Sequence, residues 1–84
     1  MFYFYIFRCQ DGSLYCGSAR DLNNREQAHN AGNGSKYIYS RGGGKIVYSE
    51  IFKSLSEALK REIEVKKFSR QKKLELIKDD NKKK

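Results

Sequence analysis

Tyr3-Phe4-Tyr5-Ile6-Phe7 and, starting ten positions after Tyr5, Tyr15-Cys16-Gly17 decide how this chain is read. The first run belongs to a segment, Phe2 to Cys9, whose aromatics and Ile favour a strand. Alternation puts Phe2, Phe4 and Ile6 on one face and Tyr3, Tyr5 and Phe7 on the other, so the strand is buried on both sides or carries a site on one. Gln10-Asp11-Gly12-Ser13 contains an Asp-Gly turn step and Leu14 to Ser18 resumes extended structure, which makes residues 2–18 a hairpin. Its tyrosines stand where a small domain normally places aliphatic residues.

Outward from the hairpin, Asp21 is an N-cap for a helix from Leu22 to about Asn30, where Asn30, Gly32, Asn33 and Gly34 supply the stop. On that helix Leu22, Arg25, Glu26 and His29 follow helical spacing, so if Leu22 points inward, Arg25 and His29 point at the hairpin. Residues 31–44 are rich in Gly, Ser, Tyr and Asn and read as a flexible connection carrying Lys36 and Arg41, without a phosphate-cradling Gly-Lys-Ser/Thr pattern. Lys45 to Phe52 alternates as a third strand, with Val47, Ser49 and Ile51 on one side and Ile46 and Tyr48 on the other. Ser54-x-x-Glu57 is a capping box opening a helix with Leu55, Ala58, Leu59, Ile63 and Val65 at core spacing. Ser69 caps a last helix that buries Leu74, Ile77 and Phe68 and leaves Lys72, Lys73 and Lys78 wet. Residues 1–78 then form one α+β domain, a small three-stranded antiparallel sheet flanked by helices, and 79–84 form a basic disordered tail.

Composition excludes several classes. No apolar run approaches the ~20 residues a membrane span needs, and the N-terminus lacks a basic leader and a cleavage site, so the expected compartment is the cytoplasm. Cys9 and Cys16 have no nearby second pair or His for a tetrahedral metal site and are read as buried free thiols. The formal charge is +8; residues 1–52 carry 6 Lys/Arg against 4 Asp/Glu, and residues 53–84 carry 12 against 6. Such a field attracts polyanions, nucleic acid first and an anionic membrane surface second.

Glu62 is the chemical outlier. It lies inside the apolar stripe of its helix, seven residues after Leu55, and a carboxylate there needs a metal ion, a cation such as Arg25, or a proton. An exposed Glu at the edge of the stripe is the other reading.

The ordered set of these residues resembles the GIY-YIG nuclease superfamily, in particular its small single-domain members and the nuclease domain of structure-specific endonuclease subunits. Tyr3-Phe4-Tyr5 stands in the first motif and Tyr15-Cys16-Gly17 in the second. Gly17 to Arg25 looks like the family's segment ending in its essential Arg, with His29 four residues later. Asn30-Ala31-Gly32 and Lys36-Tyr37 fit its loop, and Glu57-Ala58-Leu59-Lys60-Arg61-Glu62 resembles its helix bearing the metal-binding Glu. The Gly and Ile of the first motif are absent, and Gly42, Gly43 and Gly44 replace an Arg, Pro and aliphatic, which implies a looser hold on DNA.

The resemblance implies metal-dependent hydrolysis of DNA phosphodiester bonds with one Mg²⁺ or Mn²⁺, in DNA repair or recombination. In that scheme Glu62 holds the metal, Arg25 contacts a non-bridging phosphate oxygen, Tyr5 is the candidate general base, and Tyr15 and His29 orient the water or relay its proton. Arg20, Lys36, Tyr37 and Arg41 would contact DNA, and a targeting protein would aim a monomer that has no membrane attachment. The competing class is a nucleic-acid-binding module of the same fold without catalysis. A membrane-surface protein fits less well, because the last helix has no large aromatic face.

Overall fold

A computed structural model of the chain describes the backbone of residues 1–33 and 35–82 and the side chains up to Asp79, apart from residue 34. The element order is β1 (Phe2–Cys9), β2 (Leu14–Ala19), α1 (Leu22–Asn30), α2 (Lys36–Ser40), β3 (Gly44–Phe52), α3 (Leu55–Lys66) and α4 (Arg70–Lys82). The strands form one antiparallel sheet in the order β2-β1-β3, and the fold is α+β. Because β1 is central, it is buried on both faces: Phe4, Tyr5, Ile6 and Phe7 are each 0% or 1% exposed. Tyr5, Phe7 and Cys9 pack with Ala19 and with Ile38 of α2, while Phe4 and Ile6 pack with Cys16 and with Val65 of α3. Burying a large apolar side chain fully contributes about 1.5–3 kcal/mol, so this strand anchors two cores at once.

Three helices begin at the caps read from the sequence. Asn24 N–H donates to Asp21 Oδ1 at 3.0 Å, Glu57 N–H to Ser54 Oγ at 3.2 Å, and Lys72 N–H to Ser69 Oγ at 3.2 Å. Cys9 and Cys16 are buried and unpaired. No helix among the described residues is long and apolar enough to cross a membrane.

Four expectations are corrected. Residues 31–44 are not all loop: Ser35 Oγ accepts from Ile38 N–H and starts α2, whose Ile38 is 0% exposed and pins the connection to the core. In β3 the register slips between Ile6 and Phe7, so Tyr48 pairs with Ile6 while Ile46 pairs with Phe7. The bulge sends Ile46 and Tyr48 to opposite cores, where simple alternation puts them on one face.

The third correction concerns α3. Ala58 and Val65 are buried, but Leu55, Leu59 and Ile63 are 46%, 42% and 58% exposed. Ser18 Oγ lies 3.5 Å from the Ala58 carbonyl, an approach that leaves room only for a small residue on the inward face. Leu55, Leu59 and Ile63 lie roughly 60–140° further round the helix from Ala58 and face out. On α4, Leu76 and Ile77 pack on the second core with Phe68, whereas Leu74 is 40% exposed and Lys73 is half-buried. The backbone of α4 continues to Lys82, past the expected start of a tail at Asp79; Lys83 and Lys84 lie outside the described residues.

Candidate active site

The site grows from one pairing in the hairpin. Tyr5 lies opposite Gly17 on the edge strand β2, and its ring covers the position where a side chain on Gly17 would stand. A Cβ there would lie 2.5 Å from Tyr5 Oη. Glycine at this place is therefore a matter of space: it lets the phenol cross β2 and meet α1. The Tyr5 hydroxyl is 2.8 Å from His29 Nε2 in a bond buried on both sides.

Helix α1 presents this histidine because its inward face is polar. Leu22 packs on the Tyr5 core, Arg25 and Glu26 are half-buried, and His29 is 1% exposed. The rings of Phe7, Tyr15 and Tyr5 surround His29 at centroid distances of 5.2, 5.6 and 6.0 Å. That burial, aided by the Arg25 charge, holds its pKa below the ordinary 6.5, so the ring is neutral at pH 7. Among the described residues His29 Nδ1 has no hydrogen-bond partner. In the tautomer protonated at Nδ1, the Tyr5 O–H donates to Nε2. Burial pushes the Tyr5 phenol up to about 12 against the opposing pull of Arg25 beside it, so Tyr5 is a neutral phenol at pH 7.

Glu62 approaches the same edge of the sheet from the other face. Its side chain is 16% exposed, Ser18 Oγ donates to Oε1 at 2.8 Å, and Lys66 Nζ lies 2.8 Å from Oε2. The cation beside this carboxylate is Lys66 of the same helix and not Arg25, the example given from the sequence, which lies beside Tyr5. Hydrogen bonding to Glu62 raises the Lys66 pKa, and the ammonium also feels the Tyr15 hydroxyl. Tyr15 is half-buried, in contact with His29 on one side and Tyr37 on the other, at a centroid distance of 6.0 Å.

Among the described residues no group of three or more His, Cys, Asp and Glu gathers to hold a metal ion. A single carboxylate that already accepts a cation on one oxygen suits Mg²⁺ or Mn²⁺, hard ions that take one or two carboxylates and complete their shell with water and phosphate oxygens.

The expected DNA contacts separate into two places. Arg20 is exposed and lies over the Phe2 ring at 5.1 Å, near Tyr3, Leu22 and Asn23. Arg41 stacks over Tyr37 at 4.2 Å and pairs with Asp11 at 2.7 Å, while Lys36 is exposed on α2. At about 3.3 Å per strand residue these groups flank opposite ends of the hairpin, roughly 20 Å apart, with Tyr5 and Tyr15 between them.

Sequence reasoning missed Ser18, Lys66 and Asn30. Lys66 had a usable signal, its i, i+4 spacing from Glu62. Asn30 donates to the Gly44 carbonyl at 2.9 Å and accepts from its N–H at 2.8 Å, tying the end of α1 to the start of β3. Glu26 accepts from Ile46 N–H at 2.6 Å beside it. These bonds fix α1, and with it His29, against the sheet.

A tyrosine-bearing antiparallel hairpin, an Arg/His helix on one face and a Glu helix on the other define a nuclease-type fold, and residues 1–75 match the model of the GIY-YIG catalytic domain. The chain belongs to the GIY-YIG family. It is similar to a UPF0213 protein of Staphylococcus saprophyticus, 56% identical over 75 residues that cover 89% of this chain and 92% of that one. A UPF0213 protein of Staphylococcus aureus is 53% identical with the same coverage. Among solved structures, the solution NMR structure of a UPF0213 protein of Bacillus halodurans is 42% identical, with a TM-score of 0.58 over 93% of this chain and 84% of that one.

Proposed function

We propose that the protein is a metal-dependent endonuclease that hydrolyses DNA phosphodiester bonds in the cytoplasm, in the service of repair or recombination. The observation that carries this reading is the convergence of the buried Tyr5–His29 bond, the adjacent Arg25 and the Ser18-held Glu62 on one edge of the sheet. A non-catalytic DNA-binding module of the same fold would need the basic groups Arg20, Lys36 and Arg41 but not a carboxylate held as Glu62 is by Ser18.

Glu62 would hold the Mg²⁺ or Mn²⁺, which when bound neutralises charge on the scissile phosphate and the leaving oxygen. Arg25 binds a non-bridging oxygen of the same phosphate, its fork best matched to the crowded transition state. Exposure divides the tyrosines. Tyr5 is 1% exposed with a phenol at about 12, so it serves as a positioning residue that fixes His29 and backs Tyr15. Tyr15 is half-buried and close to the Lys66 ammonium, and as the phenolate that this cation favours it takes the proton of the attacking water, becoming the neutral phenol. The general-base role therefore falls to Tyr15 and not to Tyr5.

Arg20 at one end of the hairpin, with Lys36, Tyr37 and Arg41 at the other, grips the DNA backbone on either side. Asp11 must release Arg41 for this grip to form. A partner protein would supply targeting to a monomeric nuclease.

The test is a panel of single-stranded, duplex, flap and junction DNAs incubated with Mg²⁺ or Mn²⁺. Wild type should nick at least one of them, and Glu62→Gln or a chelator should abolish cleavage. Binding of the whole panel with no cleavage by pure wild type would leave a non-catalytic DNA-binding module.

A further inference from the structure

Neither oxygen of Glu62 is bare. Ser18 Oγ holds Oε1 at 2.8 Å, and the Lys66 ammonium holds Oε2 at the same distance. We propose that Lys66 is an internal counter-ion for Glu62 that a divalent cation must displace, so that the DNA-free site takes up its metal against built-in competition. The inference rests on Glu62 being the metal ligand, as in the function proposed above.

The two partners of the ion pair are unequally held. The Glu62 side chain is 16% exposed and fastened to β2 through Ser18, whereas the Lys66 side chain is 53% exposed. When the pair opens, the carboxylate therefore stays and the ammonium swings away on its flexible four-carbon stem. An i, i+4 pair whose cation is exposed is weakly held on that side, which makes the ammonium a displaceable cap. A divalent ion on Oε2 would repel Lys66, and with Arg25 already on the other face of the sheet edge, a phosphate is the anion that would receive it. The same carboxylate is thus neutralised in turn by the protein and by the metal. It does not stand as an uncompensated charge beside the Tyr5 and Tyr15 phenols.

The experiment titrates Mn²⁺ into DNA-free protein and follows free Mn²⁺ by electron paramagnetic resonance, in wild type, Lys66→Ala, Lys66→Arg and Glu62→Gln. Circular dichroism confirms that each variant is folded, and Glu62→Gln gives the background from other carboxylates. Lys66→Ala should bind Mn²⁺ about two- to five-fold more tightly than wild type, the scale of a helix-surface ion pair at this spacing. Lys66→Arg, which keeps the charge, should stay within about two-fold of wild type. Equal or weaker binding by Lys66→Ala overturns the proposal, as does tightening in Lys66→Arg equal to that in Lys66→Ala. If Glu62→Gln binds Mn²⁺ as well as wild type, the metal assignment itself fails and the proposal with it. The variants thus separate failure of the counter-ion from failure of the site.

Discussion

Replacing Gly17 with Ala tests the geometry on which the site depends. The added Cβ would lie 2.5 Å from Tyr5 Oη, 2.7 Å from Cζ and 3.0 Å from Cε2. Ordinary carbon contacts begin near ~3.5 Å, so the ring or β2 must move by about 1 Å. The ring has little freedom to move: Tyr5 is 1% exposed, packed with Phe7, Ala19 and Ile38, and tied to His29 at 2.8 Å. Overpacking of a filled core costs about 1–3 kcal/mol, and a shift of that size also strains the hydrogen bond to His29. In a domain of this length each kcal/mol lowers Tm by roughly 4–8 °C, so Gly17→Ala should melt on the order of 5–20 °C below wild type. Urea unfolding at constant m-value is the assay, with Ser49→Ala as control, an exposed residue on the other side of Tyr5. Stability of Gly17→Ala within about 0.5 kcal/mol of wild type would refute the lodging of Tyr5 across Gly17.

Acid should weaken the fold through His29. Burial depresses its folded-state pKa below 6.5, so its neutral form contributes stability that is complete above pH 6.5 and is lost as pH falls below that value toward the folded pKa. The slope of unfolding free energy against pH between 6.5 and 5 should shrink in His29→Gln; an unchanged slope would show that another group carries it. On α3, Leu59→Lys should change stability by less than about 0.5 kcal/mol, because Leu59 is 42% exposed. Ala58→Leu should cost about 1–3 kcal/mol, because it drives a large side chain into the approach to Ser18; equal effects of the two substitutions would mean that α3 is turned differently.

What could be read from the sequence follows the range of the interaction. The hairpin, α1 and the caps at Asp21, Ser54 and Ser69 were legible because turn and cap chemistry acts within four residues. Helix α2 was not, since Lys36–Ser40 sits among Gly and Ser and is held by one buried side chain, Ile38, whose partners are far off in sequence. The orientation of α3 was misread for a related reason: periodicity finds the most apolar stripe, but the close approach of Ser18 and the bond to Glu62 select the stripe with the smallest residues. The site followed the same pattern. Tyr5, Tyr15, Arg25, His29 and Glu62 were named in advance from the family resemblance, and the structure gathers them at one sheet edge. Their division of labour depends on exposure and on Ser18 and Lys66, which no linear motif encodes.

The most direct test of the account is a single-turnover cleavage assay of Tyr15→Phe on whichever DNA wild type nicks, with saturating Mg²⁺ or Mn²⁺ and DNA affinity measured alongside. Loss of the Tyr15 hydroxyl should slow cleavage by about 10²–10⁴-fold while binding and fold are retained. Cleavage by Tyr15→Phe at the wild-type rate would contradict the catalytic role given to this edge of the sheet.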